Sequence, residues 1–209
     1  MSNTVDCLFA LFLYIGLASI IMILLSQDKV TLLGASNLRR YGNKVLLQRN
    51  CRMKVLNQKN VKIYVQLAIG GQTIAQLQKR GQRCKSPNFS YKLAKEVVLM
   101  IGTNDILRNT KYHIMRTGLL RILTSLKSQE VRKVYLCTLA PILGATETQR
   151  AALDQYNNFI RGYTDRRVQV CDINAALGGR RECFETDGIH LNDYGIQVVH
   201  SVLPGELLL

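Results

Sequence analysis

The sequence predicts one α/β domain built on a mostly parallel sheet covered on both faces, preceded by an N-terminal transmembrane helix. Three observations lead there. Five short apolar runs have strand character, stretches of helical period separate them, and an apolar run of 19 residues free of charge, Cys7 to Leu25, lies near the N-terminus. Strands alternating with helices require crossover connections, and these place helices on the faces of a parallel sheet. At 209 residues the chain fits a single domain with a real core.

The leader runs from Cys7 to Leu25, CLFALFLYIGLASIIMILL. As a helix it spans roughly 28 Å, close to the hydrocarbon thickness of a bilayer. It lacks the polar face of a soluble core helix. The segment before it, Met-Ser-Asn-Thr-Val-Asp, has no basic side chain, so an uncleaved anchor is expected rather than a signal peptide. The expected organisation is an anchor over 1–28, with its helix at about 7–25, and a body over 29–209. All Lys and Arg follow the helix, which favours a single-pass protein with a cytoplasmic body; a cleaved leader would instead mean secretion.

Five runs supply the strands of the body. They are Lys29 to Gly34, Val61 to Ala68, Glu96 to Ile101, Lys133 to Thr138 and Arg167 to Asp172. The third reads as buried on both faces, as a central parallel strand should be. Met115, Leu119, Ile122, Leu123 and Leu126 line one face of a helix. Ala152, Tyr156, Phe159, Ile160 and Tyr163 line another, for which Thr146 and Gln149 offer a capping box. Asn192 suits the N-cap of a final helix whose Ile196, Val199 and Leu203 face inward. Residues 83–92 read as a surface loop.

The 47% hydrophobic and 20% charged content excludes a disordered chain. Six scattered cysteines, without a C-x-x-C pair or histidines at ligand spacing, indicate neither a disulfide framework nor a metal site. Cys137 and Cys171 fall inside strands and read as buried free thiols. Asn88-Phe89-Ser90 is a glycosylation triplet that matters only in a secreted protein. Net charge is +14 overall and +16 over residues 29–209. Such a body attracts anionic lipid, nucleic acid or acidic glycan, or simply presents a solvated basic face. Arg39, Arg40, Lys44, Arg49 and Arg52 cluster on the first helix region, in reach of membrane phosphates near the anchor.

Chemistry-bearing residues gather where parallel sheets place their sites, after the carboxyl ends of strands. Gly34-Ala35-Ser36-Asn37 closes the first strand. Ile69-Gly70-Gly71-Gln72-Thr73 follows the second and Gly102-Thr103-Asn104-Asp105 the third. Asp187-Gly188-Ile189-His190-Leu191-Asn192 precedes the last helix. Ser36, at a strand-to-helix turn, is a candidate nucleophile; His190 is its candidate base, and Asp187 can turn back to fix the imidazole tautomer. The Gly71 N–H and the Asn104 amide are candidate oxyanion donors. Each also has a structural explanation. Ser36 could be a helix cap, Gly71 a turn residue, Asn104 a cap, and Asp187 with His190 a loop ion pair. Asp105 reads as orienting its loop, and His113 and His200 as surface or core residues.

These four segments resemble the motifs of the SGNH/GDSL hydrolases. Gly34 to Ser36 corresponds to the first block, Gln66 to Thr73 to the second, Gly102 to Asp105 to the third and Asp187 to Asn192 to the last, in family order over residues 29 to about 205. The resemblance implies a flavodoxin-like three-layer αβα sandwich with a five-stranded sheet. It implies hydrolysis of small esters with no cofactor and no metal, through Ser36, His190 and Asp187 with Gly71 and Asn104. Ala35 stands where the family usually has Asp, which implies altered packing of the turn. Gln66 replaces a common Asn and implies changed local hydrogen bonding. The expected substrate is an O-acetyl ester of a glycan, or a lysophospholipid or other acyl ester. The alternative is a binding module for RNA or anionic membrane with weak or no catalysis, or a tethered scaffold with a vestigial site. The oligomeric state is open.

Overall fold

The computed structural model describes residues 29–50, 63–83 and 93–208. The expected anchor helix, the Asn88 triplet and nearly all of the expected surface loop lie outside the described residues. Among the described residues no helix is long and apolar enough to cross a membrane.

Five strands form the sheet: β1 (Lys29–Gly34), β2 (Ile63–Gln66), β3 (Glu96–Met100), β4 (Lys133–Cys137) and β5 (Val168–Cys171). Their order is β2-β1-β3-β4-β5 and every pairing is parallel. The second strand ends at Gln66, two residues before the end of its apolar run at Ala68; Val61 and Lys62 lie outside the described residues. Its chain nevertheless stays bonded to β1, because the Leu67 N–H donates to the Leu32 carbonyl at 2.9 Å and that of Ile69 to Gly34 at 3.0 Å.

The helices are α1 (Ser36–Asn50), α2 (Ile74–Arg83), α3 (Thr103–Leu107), α4 (Tyr112–Lys127), α5 (Glu147–Arg161), α6 (Ile173–Leu177), α7 (Asp193–Val202) and α8 (Gly205–Leu208), with a 3-10 turn at Arg181–Cys183. The chain moves outward from β1 to β2 and then reverses to β3, β4 and β5. Right-handed crossovers therefore place α1 on one face and α2, α4 and α5 on the other. The packing agrees, since α1 touches α7 and α7 touches α6, while α4 touches both α2 and α5. The result is a helix–sheet–helix arrangement whose direction reverses between β1 and β3.

Burial follows position in the sheet. β3 has neighbours on both sides, and Val97, Val98 and Leu99 are fully buried, as are Val30 and Leu32 beside them. Truncating Leu99 or Leu32 to Ala typically costs about 2–5 kcal/mol. The caps form as the residue pattern requires. The Thr146 hydroxyl accepts from the Gln149 N–H while the Gln149 amide accepts from the Thr146 N–H, and Asn192 caps α7 through the Gly195 N–H at 3.0 Å. An unforeseen box of the same kind, Thr73 with Gln76, opens α2. Cys137 and Cys171 are buried free thiols, as is Cys183.

Candidate active site

The direction reversal between β1 and β3 leaves a crevice at the carboxyl ends of these strands, where open α/β sheets bind ligands. Ser36 is the first residue of α1, two positions past the end of β1, and is half-buried. Gly34 is required there, because a Cβ on it would stand 2.1 Å from the Met100 carbonyl oxygen of β3. Ala35 is buried, and backbone bonds brace its turn. Its N–H donates to the Met100 carbonyl at 3.2 Å and its carbonyl accepts from the Arg39 N–H at 3.0 Å. A helix N-terminus at Ser36 carries the positive end of the helix dipole toward charge developing on that side chain's partners.

Asp187 and His190 meet directly. Asp187 Oδ2 lies 2.5 Å from His190 Nδ1, and Oδ1 accepts the N–H groups of Ile189 and His190, each at 2.9 Å. The imidazole contact, reinforced by those two N–H groups, holds the Asp187 carboxyl well below the usual carboxylate range. The carboxylate is thus committed to one ring nitrogen, which leaves Nε2 as the nitrogen available for proton transfer. The loop is also closed on itself, with the Glu185 N–H on the His190 carbonyl at 2.8 Å and the Leu143 N–H on the Gly188 carbonyl at 2.9 Å.

Asn37 joins the two halves. Its Oδ1 accepts the Leu191 N–H and its Nδ2 donates to the Ile189 carbonyl, both at 3.1 Å. Arg40 adds an ion pair to Glu185 at 3.0 Å. The residue after Ser36 therefore grips the residues on either side of His190. The sequence reading did not assign Asn37 this part. Its only signal is a polar side chain on the first turn of a helix whose neighbours Ala35, Leu38 and Tyr41 are buried.

Gly71 and Asn104 lie across the crevice. Gly71 has φ +73°, and a Cβ there would meet nothing, so left-handed backbone rather than crowding selects glycine. Its N–H has no acceptor among the described residues. Asn104 Nδ2 donates to the Gln72 carbonyl at 3.1 Å, which ties the third segment to the second and leaves the amide's other hydrogen unused. Asp105 is buried and accepts the Ile74 N–H at 3.0 Å; burial pushes its carboxyl up. It anchors α2 rather than facing a reactant. Gln66 reaches further than its local role suggested. Its Oε1 accepts from Ala68 N–H at 3.1 Å and its Nε2 donates to the Arg39 carbonyl at 3.0 Å, clasping α1 to the end of β2. His113 is exposed, and half-buried His200 Nδ1 lies 3.1 Å from the Tyr41 hydroxyl, away from the site. Among the described residues no group of His, Cys, Asp and Glu could hold a metal ion.

No curated protein sequence matches the chain. Several solved structures share its fold. A member of the lipolytic G-D-S-L family from Veillonella parvula is 15% identical with a TM-score of 0.66, over 83% of this chain and 94% of that one. The acetyl xylan esterase AlAXEase is 22% identical with a TM-score of 0.64, over 84% and 100%. A carbohydrate esterase of family 3 from Talaromyces cellulolyticus is 16% identical with a TM-score of 0.62, over 87% and 97%. At these identities the likeness concerns the fold alone. The GDSL-like lipase/acylhydrolase family model matches residues 33–198, a span that holds Ser36, Gly71, Asn104, Asp187 and His190. The chain belongs to the GDSL-like lipase/acylhydrolase family and is an ester hydrolase of that type.

Proposed function

We propose that the protein is a membrane-anchored serine esterase that cleaves a small acyl ester through Ser36, His190 and Asp187. The contact between Asp187 and His190, on a loop gripped by the residue after Ser36, carries this reading. His190 Nε2 takes the proton as Ser36 Oγ attacks the ester carbonyl. The Gly71 N–H and Asn104 Nδ2 hold the oxyanion, and collapse expels the alcohol, which takes the proton from His190. Water then repeats the sequence on the acyl-serine and releases the carboxylic acid. Asp187 stabilises the imidazolium and remains ionised throughout.

Acetyl esters of glycans are one substrate class, supported by neighbours described as an acetyl xylan esterase and a carbohydrate esterase. Longer acyl esters are the other. An apolar cavity of about 990 Å³ supports them, running from Ile69 at the crevice down between α2 and α4 and lined by Leu77, Leu120 and Leu126. The apolar run from Cys7 to Leu25 would hold the body of residues 29–209 close to a bilayer, on the cytoplasmic side. Protease protection in sealed vesicles tests that side: a body digested from outside right-side-out vesicles excludes the cytoplasmic placement. The esterase reading is tested with p-nitrophenyl esters of increasing chain length. Turnover that Ser36→Ala abolishes is expected; equal turnover by both proteins would refute the assignment.

A further inference from the structure

Between Lys29 and Lys95 the sequence has fifteen Lys and Arg residues and no Asp or Glu. This stretch builds β1, α1, β2 and α2, so it supplies both Ser36 and Gly71. The partly exposed carboxylates Glu185, Asp187 and Asp193 belong to the opposite wall, and Asp105, near the first wall, is buried and taken up by the Ile74 N–H. Cations of the first wall that face this side are neutralised: Arg40 pairs with Glu185 and Lys44 with Asp193.

Arg39 turns the other way. Its Nη1 stands 3.5 Å from the position a Cβ on Gly70 would take, beside the oxyanion glycine. The Gln66 amide bonds the Arg39 carbonyl and so holds this turn of α1, though not the guanidinium itself, beside β2. Next to the Arg39 guanidinium, which is outside its lining but shares Gly70 with it, a cavity of about 420 Å³ is lined by Gly70, Gly71, Gln76, Lys79 and Arg80, with no carboxylate among its described lining residues. Arg80 donates to the Leu67 carbonyl at 2.7 Å. Neither Arg39 nor Lys79 has a carboxylate partner among the described residues. The segments 51–62 and 84–92 contain no acid; outside the described residues the acidic side chains are Asp6 and Asp28.

Building on the esterase reading, we propose that the substrate ester carries an anionic group, carboxylate or phosphate, that docks on Arg39 and Lys79 beside Gly71. A guanidinium fork matches either oxyanion in two-point contact, and an ammonium adds an adaptable point charge. Cations at the rim of a concave site also raise the local concentration of an anionic substrate, an effect that salt suppresses.

Two matched substrate pairs test this. The soluble pair is p-nitrophenyl hydrogen succinate against p-nitrophenyl butyrate. The lipid pair is palmitoyl glycerol phosphate against monopalmitoylglycerol in uncharged detergent micelles. At least one pair is expected to show a kcat/KM ratio favouring the anion by about tenfold or more at low salt. The ratio should shrink at high salt, fall toward one in the Arg39→Gln/Lys79→Gln double variant, and survive in the distant control Arg132→Gln. The pair that shows it tells a soluble acid from a lipid phosphate. A ratio near one in both pairs, or one that survives the double variant, overturns the proposal. So does a double variant that loses only its binding to anionic vesicles. If all four esters are inert, the catalytic reading fails separately. Calorimetry with monomethyl succinate on Ser36→Ala then decides the anion site: binding lost in the added double variant supports it, and absence of binding refutes it.

Discussion

Asn37 holds His190 from both sides, accepting the Leu191 N–H and donating to the Ile189 carbonyl, each at 3.1 Å. Leu191 is fully buried, so its N–H has no water to turn to if Asn37 is removed. Leaving a buried donor unpaired costs about 1–3 kcal/mol. Asn37→Ala is expected to lose stability of that order in denaturant unfolding. Its kcat should fall much more than its KM changes, because the loop bearing the base loosens while the binding surface persists.

Asp187→Asn should keep the loop's shape but remove the charge that fixes the imidazole. In serine hydrolases the equivalent change costs roughly 10⁴-fold in kcat. A loss of that order in steady-state kinetics, with an unchanged circular dichroism spectrum, is the expected outcome. A loss below about tenfold would mean that His190 is oriented without it.

The same carboxylate makes a prediction about acid. Asp187 has a folded pKa depressed by the His190 contact and two backbone N–H groups. Its contribution to stability is therefore complete above its ordinary value of 3.8 and is lost as pH falls through that value toward the depressed one. Thermal unfolding of the native protein and Asp187→Asn should converge as pH drops below about 4. A gap that stays constant down to the lowest pH at which both fold would contradict the assignment.

Asn104 bonds the Gln72 carbonyl, and in the proposed mechanism its amide also donates to the oxyanion. Removing one oxyanion donor typically costs 10²–10³-fold in kcat. Asn104→Ala should show that loss with a modest change in KM. Asn104→Asp, which cannot donate, should be no better than Ala.

Gly34→Ala tests the turn itself. A Cβ at 2.1 Å from the Met100 carbonyl oxygen forces β1 away from β3. The expected cost is about 1–3 kcal/mol, with esterase activity falling as the Ser36 turn shifts. Unaltered stability in urea titration would show that the two strands separate freely.

Much of this architecture is legible in the chain because local chemistry dictates it. β3 reads as central since Val97 to Met100 is apolar on both faces, and α5 and α7 start where Thr146 and Asn192 can cap them. Three of the four motif segments fall after strand ends and the fourth just before the last long helix, so the position of the crevice follows from the topology. What escaped depends on contacts between distant residues. Asn37 finds partners more than 150 positions away, and no periodicity announces such a pairing. Gln66 reads as a local substitution until α1 packs against β2 and brings the Arg39 carbonyl within reach. The apolar run in β2 overstates the strand because Leu67 to Ile69 already bend toward the glycine turn while keeping bonds to β1.

The central claim is that Ser36 is the nucleophile and that His190 activates it. Labelling the purified protein with a fluorophosphonate probe, with the adduct mapped by peptide mass spectrometry, tests it most directly. The expected result is one probe per chain on the peptide bearing Ser36, abolished in Ser36→Ala and strongly slowed in His190→Ala. Labelling at another residue, or undiminished labelling in Ser36→Ala, would contradict it.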